Sequence, residues 1–590
     1  MNLNVRRSSI VVALACGAAL AGAWLVPSLG AQQPASAPNG DWPSYGLTSS
    51  ETRFSPLTQI DASNVARLGR AWSADIGEGT TTQEATPLVV GGRMFVVTTW
   101  SVTIALDAKT GREIWRWDPK VDRTIGAPGT NRICCGVVNR GLAFDRGKIF
   151  VPVIDGRLVA LSADTGAVVW TAQATPKDDV AYTLTIAPRI VRGKVIVGNS
   201  GAEFPPYRGF FSAFDAESGR ELWRFYTVPG DPSKPFENPA LEAAAKTWGG
   251  EWWKYGAGGS VWDGLAYDAD ANLLYVGTGN GTPWPAVFRE QTTDKDNLYT
   301  CSILAIDPDT GTLKWHYQTV PADEWDYDST AQMILADLPI DGVTRKVIMQ
   351  APKNGFFYVL DRLTGELLSA VPFTKVSWAR GIDPKTGRPI INPEARYGRA
   401  PVTVAPSGGG AHTWTPMSFD PGTGLVYFTA SLGSTFVYAR NERFEFTPGT
   451  MNLGIVMGRG RGTAPAEPGP APPMTGPDGQ GPHLVAWDPI AQTTRWKQPG
   501  GGFGSGGTLA TAGGLVFQSL GDGRLVAYTA DKGDLTFEAP LTLRGMGPPM
   551  TYAVDGRQYV AVITPGPPRV TALALDGEHI EPPARPAPTQ

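Results

Sequence analysis

The sequence predicts an all-β fold, an eight-bladed β-propeller held by tryptophan-docking repeats, on three observations. One motif recurs along the chain. Strand patterns dominate and helical periodicity is almost absent. Glycine (71), proline (51) and tryptophan (19) are abundant, as many short strands joined by tight turns require. The motif is Ala-x-Asp-x-x-Thr-Gly with an aromatic four residues after the glycine. It reads ALDAKTGREIW at 105–115, ALSADTGAVVW at 160–170, AFDAESGRELW at 213–223 and AIDPDTGTLKW at 305–315. Weaker copies start at Val359 (VLDRLTGELLS), Ala486 (AWDPIAQTTRW) and Ala527 (AYTADKGDLTF). Within a copy, an alternating apolar strand ends at Asp, Thr-Gly turns the chain, and a second strand leads into Trp. A lone hairpin leaves its faces wet, so copies must stack. Seven copies plus a blade closed by the N- and C-terminal strands give eight blades, with seven as the alternative. The wide gap from Trp223 to Trp315 leaves room for a degenerate copy between them.

The chain of 590 residues is 42% hydrophobic and 18% charged, which suits a packed globular protein and not a disordered one. A net charge of −4 with no dominant basic patch excludes a nucleic-acid partner. Arg6 and Arg7 precede an apolar run at 10–26, and the small residues Ser28, Gly30 and Ala31 follow. Residues 1–30 therefore read as a cleaved signal peptide and the protein as periplasmic, a retained membrane anchor being the alternative. Residues 31–590 read as one propeller domain. Two stretches break its rhythm: 231–256 carries a helix-like piece expected over one face, and the Gly/Pro-rich 456–482 reads as a long surface loop. Cleavage leaves Cys134, Cys135 and Cys301, for which an exported protein makes a disulfide plausible. His316, His412, His483 and His579 are scattered and no Cys-x-x-Cys-His occurs, against a histidine zinc site and covalent c-type haem.

More specific motifs add to the repeats. Residues 262–283, WDGLAYDADANLLYVGTGNGTP, resemble over their whole length a signature of bacterial quinoprotein dehydrogenases. Residues 41–68, DWPSYGLTSSETRFSPLTQIDASNVARL, resemble the N-terminal signature less completely, and the motif order matches from about residue 41 to 575. The chain thus resembles the alcohol and methanol dehydrogenases that use pyrroloquinoline quinone (PQQ), and among them the lanthanide-dependent type.

The resemblance implies a site for a flat, anionic quinone, which needs two flat walls, cations for its carboxylates and a hard metal near its reactive carbonyl. One wall would be a disulfide between Cys134 and Cys135, whose adjacent Cα atoms sit about 3.8 Å apart, closer than disulfides prefer; two buried thiols are the alternative. Trp262 matches the opposite wall. Arg140 would pair with a PQQ carboxylate. Glu84, Thr185, Ser260 and Lys353 match further cofactor contacts, and Gly201 and Ala202 would offer backbone groups. The matching metal ligands are Glu203, Asn280 and Asp326, all oxygen donors suited to a hard cation. Asp326 also matches the catalytic base. Asp328 is a fourth candidate ligand, because residues i and i+2 of an extended segment point the same way. A further carboxylate suits a trivalent ion, so a lanthanide is expected, with Ca²⁺ as the alternative.

Two departures stand out. Thr413 occupies a position where many relatives have Asn, and Gly504 and Ser505 replace larger residues, which would widen the pocket. The expected activity is oxidation of a primary alcohol to the aldehyde by hydride transfer to PQQ. Electrons would pass to a separate soluble cytochrome c, and a homodimer is left open. The competing readings are a non-catalytic propeller scaffold of the cell envelope and a quinoprotein acting on a polymeric alcohol, a sugar or an aldehyde.

Overall fold

Each motif copy folds as the third and fourth strands of an antiparallel sheet. In the copy at 105–115, Thr103–Asp107 pairs with Glu113–Trp117, setting Ala105 opposite Trp115. The computed structural model describes residues 40–77, 83–126, 133, 136–175, 182–201, 203–204, 206–290, 295–456, 471–501 and 504–582. In them eight blades follow one another around a central channel, at 88–117, 143–173, 189–226, 265–318, 334–372, 418–499, 507–540 and 550–575. The eighth is completed by Leu68–Asp75, which pairs antiparallel with Arg569–Leu575 and closes the ring. The expected eight-bladed, all-β architecture holds. The expected signal peptide lies outside the described residues.

The tryptophans join neighbouring blades. Trp115 Nε1 donates to the Ala163 carbonyl of the next blade at 3.0 Å. Trp72, Trp170, Trp223 and Trp496 do the same to Ala108, Ala216, Pro308 and Ala530, at 3.0–3.2 Å. Each ring lies flat on the turn glycine of the next copy. Gly166 is at φ +71°, and a Cβ there would stand 2.7 Å from the Trp115 ring, so the motif needs Gly for backbone and space together. Two blades depart from the tryptophan: the seventh has Phe537 at that position and the fifth has Ser369. The turn facing Ser369 also lacks the glycine, having Gln492 at φ +52°. Both halves of the docking pair are missing at the same seam.

The structure corrects one expectation. No degenerate copy lies between Trp223 and Trp315, because Trp223 docks directly onto the turn that precedes Trp315. The extra length is insertion, including helix Pro239–Ala245, whose N-cap Asn238 side chain accepts from Leu241 N at 3.0 Å. Trp248 and Trp252 pin this insertion by donating to the Leu298 and Pro229 carbonyls. The helix-like piece expected in 231–256 is therefore present. The loop expected at 456–482 ends earlier, since strand Gly481–Asp488 has begun, and 457–470 lie outside the described residues.

Residues 42–55 bind to the inner strands of one blade after another. Trp42 bridges to Val89. The carbonyls of Ser49, Ser50, Thr52 and Arg53 accept from Tyr267, Leu335, Phe419 and Ala510, in the fourth to seventh blades in order. Arg53, fully buried, also donates to the Thr508, Tyr45 and Pro549 carbonyls. This segment gives the channel a floor.

Candidate functional site

Strand direction alone brings the candidate residues to one end of the channel. Glu84, Arg140, Thr185, Ser260, Trp262, Asp326 and Asp328 lie just before the innermost strand of their blades. Glu203, Asn280 and Lys353 lie just after the second strand. In an antiparallel blade the start of the first strand and the end of the second share one edge. Five consecutive blades thus deliver their chemistry to one face, opposite the floor laid by 42–55.

Arg140 is the centre of the first half of the site. Its guanidinium lies 2.9 Å from Glu84 Oε2, donates to Thr185 Oγ1 at 2.9 Å and to the Trp262 carbonyl at 3.3 Å, and stacks 4.7 Å from the Trp262 ring centroid. Thr185 Oγ1 in turn donates to Ser200 Oγ at 3.3 Å. Asp263, missed by the sequence analysis although it follows Trp262, is buried with Oδ2 3.8 Å from Arg140 Nε. Burial lifts the Glu84 and Asp263 carboxyls, while Arg140 pulls both back down.

Lys353 is the centre of the second half. Its ammonium lies 2.6 Å from Asp328 Oδ2 and 3.0 Å from Asp326 Oδ2. Both aspartates face it and so point the same way, but not because the segment is extended: Asp326 is left-handed, at φ +68°. Asp328 Oδ1 accepts the backbone N–H of Asn280 at 2.8 Å, tying the fourth blade's turn to the fifth blade's approach. Glu203 is pushed up to about 7, by burial first and by the charge of Asp328 second. Burial also drives Asp326 well above the usual carboxylate range, against the pull of Lys353. Burial alone would depress the Lys353 ammonium, but Asp326 and Asp328 outweigh it and hold it charged.

Among the described residues no three His, Cys, Asp or Glu side chains are gathered into a ready-made metal cluster, since Lys353 draws Asp326 and Asp328 to itself. The chemistry of the donors nonetheless fits a hard cation. Glu203, Asp326 and Asp328 bring three carboxylates against one ammonium, and Asn280 stands beside them. The net negative charge in a largely enclosed site is what a di- or trivalent ion would relieve. Gly201, at φ +89°, is described, whereas Ala202, Cys134 and Cys135 lie outside the described residues. Ser260 is buried, with its Oγ 3.0 Å from where a Cβ on Gly279 would stand, so Gly279 is what lets these two turns approach. Near Gly504 no described atom lies within 4 Å of an added Cβ.

Comparisons with known proteins agree with this geometry. The family model described as glucose/ethanol/alcohol dehydrogenase, beta-propeller domain, of the PQQ proteins, matches residues 42–385 and 479–560. Quinohemoprotein alcohol dehydrogenase ADH IIB of Pseudomonas putida is 48% identical over 572 residues, covering 93% of this chain and 80% of its own length. The crystal structure of quinohemoprotein alcohol dehydrogenase from Comamonas testosteroni superimposes with a TM-score of 0.86 at 44% identity, covering 94% of this chain and 83% of that one. A europium-containing methanol dehydrogenase superimposes with a TM-score of 0.79 at 30% identity, covering 91% of this chain and 98% of that one.

Proposed function

The chain belongs to the PQQ-dependent alcohol dehydrogenase family, and we propose that it oxidises a primary alcohol to the aldehyde in the periplasm, with a lanthanide ion in its site and a soluble cytochrome c as electron acceptor. Family membership makes it an enzyme and sets aside the scaffold reading. The observation that carries the site assignment is the meeting of Asp326 and Asp328 on Lys353, beside Asn280 and Glu203.

Bound PQQ supplies the two-electron acceptor for the substrate hydride, and the bound metal ion supplies a Lewis acid beside it. The chain's residues do the rest. Arg140, braced by Glu84 and Thr185, offers its guanidinium to a cofactor carboxylate. Trp262 would form one wall, with Ser260 and Gly201 at the edge; Cys134, Cys135 and Ala202, expected as the other wall and a further edge contact, lie outside the described residues. Glu203, Asn280, Asp326 and Asp328 would hold the metal. Asp326 accepts the hydroxyl proton of the alcohol. Lys353 keeps a positive charge where negative charge develops on reduction.

Asp328 supports a trivalent ion, because it adds a carboxylate to a set that already holds two. The europium-containing structural neighbour supports the same reading. Gly504 and Ser505, smaller than their counterparts in many relatives, support an alcohol bulkier than methanol. The chain carries no Cys-x-x-Cys-His, so electrons must pass to a group outside these residues. The test is dye-linked alcohol oxidation by the full chain, given PQQ with either Ca²⁺ or La³⁺, over short, long and aromatic alcohols. Activity with La³⁺ and a preference for longer alcohols is expected. Activity with Ca²⁺ alone would discard the lanthanide, and no oxidation of any alcohol would overturn the assignment.

A further inference from the structure

Asp326 stands in a backbone conformation that non-glycine residues avoid, φ +68°, so something must hold it there. Glycine would adopt that bend freely but would bring no carboxylate. Three residues earlier, Asp323 is fully buried and points into the turn. Its Oδ1 accepts from the backbone N–H groups of Trp325 at 3.2 Å and Tyr327 at 3.3 Å, and its Oδ2 accepts from that of Asp326 at 3.1 Å. One carboxylate thus gathers three consecutive N–H groups, as a capping side chain does at a helix start.

Asp323 is itself anchored. Its carbonyl accepts from Arg289 Nη2 at 2.5 Å. Arg289 is fully buried and also donates to the Pro283 and Trp284 carbonyls at 2.7 and 2.6 Å and to Asn297 Oδ1 at 3.0 Å. The residues flanking Asp326 are pinned as well. Trp325 Nε1 donates to the Ala395 carbonyl at 3.2 Å, and the Tyr327 hydroxyl to the Pro406 carbonyl at 2.5 Å. With both neighbours fixed, the backbone at Asp326 is the remaining freedom, and Asp323 removes it.

We propose that Asp323 is a positioning residue for Asp326: it holds the left-handed turn that aims the Asp326 carboxylate into the site, with Arg289 as its anchor. The catalytic consequence rests on the reading of Asp326 as the base. Asp323→Asn keeps one accepting oxygen and Asp323→Ala keeps none. The expected result in the holoenzyme is a kcat lowered by about tenfold and about a hundredfold respectively, with KM for the alcohol and PQQ stoichiometry unchanged. A purely structural role would lower active protein and PQQ content together instead.

A second measurement reads the turn without activity. In the full chain without added PQQ or metal, Asp323→Ala is compared in the wild-type and Asp326→Gly backgrounds. Glycine needs no help at positive φ, so Asp323→Ala should lower Tm less in the Asp326→Gly background. Equal losses of Tm overturn the proposal, as does a wild-type kcat in Asp323→Asn while Asp326→Asn is inactive. Full turnover in Asp326→Asn would overturn the base reading and the catalytic consequence with it, and the Tm comparison still separates that failure from failure of the positioning.

Discussion

Lys353 Nζ lies 2.6 Å from Oδ2 of Asp328, whose other oxygen accepts the backbone N–H of Asn280 at 2.8 Å. Asp328 therefore joins the cation of the site to the turn that carries a proposed metal ligand. A surface aspartate in a turn would make neither contact, and this one is buried.

Replacing Asp328 with Ala removes a carboxylate and the anchor for Asn280 together. La³⁺-supported alcohol oxidation should fall by about a hundredfold or more, in line with losses on disturbing metal-site supports. Steady-state assays at saturating PQQ across a La³⁺ titration measure it. Undiminished lanthanide activity in the variant would show that Asp328 is not a ligand.

Removing the ammonium should expose the charge problem directly. In Lys353→Met, Glu203, Asp326 and Asp328 are left without their cation, and a broken buried pair costs about 3–5 kcal/mol. The metal-free variant should unfold at clearly lower denaturant than the metal-free wild type. Added La³⁺ should restore more stability to the variant than to the wild type, because the ion then supplies the only local positive charge. Equal gains in the two proteins would mean that the carboxylates do not share one cation-binding region.

What the sequence could reveal follows from how local each signal is. The docking motif is local, so copies at 105–115, 160–170 and 213–223 announce their blades. Spacing is a poorer guide, because an insertion lengthens it without adding strands, and Trp223 to Trp315 shows that. The floor at 42–55 stands within a legible N-terminal signature, but its partners Tyr267, Leu335, Phe419 and Ala510 are far away in sequence, and no local pattern foretells such pairing. Glu84, Arg140, Thr185, Asp326, Asp328 and Lys353 came from resemblance and do converge. Asp263 and Asp323 stand next to or near residues of the expected site, but their partners are a distant guanidinium and backbone N–H groups, which leave no mark on the local sequence. Arg289 had no signal at all.

The docking seams offer a paired test of the fold. Gly166 and Gly424 share nearly the same backbone, φ +71° and +70°, but a Cβ on Gly166 would stand 2.7 Å from the Trp115 ring, and one on Gly424 would meet nothing within 4 Å. Gly424→Ala should cost about 1–2 kcal/mol for its left-handed backbone alone. Gly166→Ala should cost about 1–3 kcal/mol more, from displacing the ring. Thermal unfolding of both variants decides it, and equal losses would mean that the tryptophan does not rest on the turn.

The floor of the channel should carry a pH signature. Glu51, fully buried, receives Arg189 in a two-pronged ion pair, Nε to Oε1 at 2.6 Å and Nη2 to Oε2 at 3.0 Å. Burial still outweighs that pairing and lifts the Glu51 carboxyl to about 6, with the nearby charge of Asp263 adding to the rise and Arg53 opposing it. A carboxyl raised on folding stays protonated longer in the folded protein than in the unfolded chain. Its contribution to stability is therefore complete below the ordinary value of 4.5 and is lost as pH rises through about 6. The loss is on the order of 2 kcal/mol, since each tenfold change in proton affinity is worth about 1.4 kcal/mol. Glu51→Gln abolishes this titration and mimics the protonated carboxyl, so at neutral pH the variant should be more stable than the wild type by up to about 2 kcal/mol. Urea unfolding across pH 4.5–6 should then show wild-type stability falling more steeply with rising pH than that of Glu51→Gln. A constant difference between the two proteins over that window would mean that Glu51 is ionised throughout, and that Arg189 masters the cost of its burial.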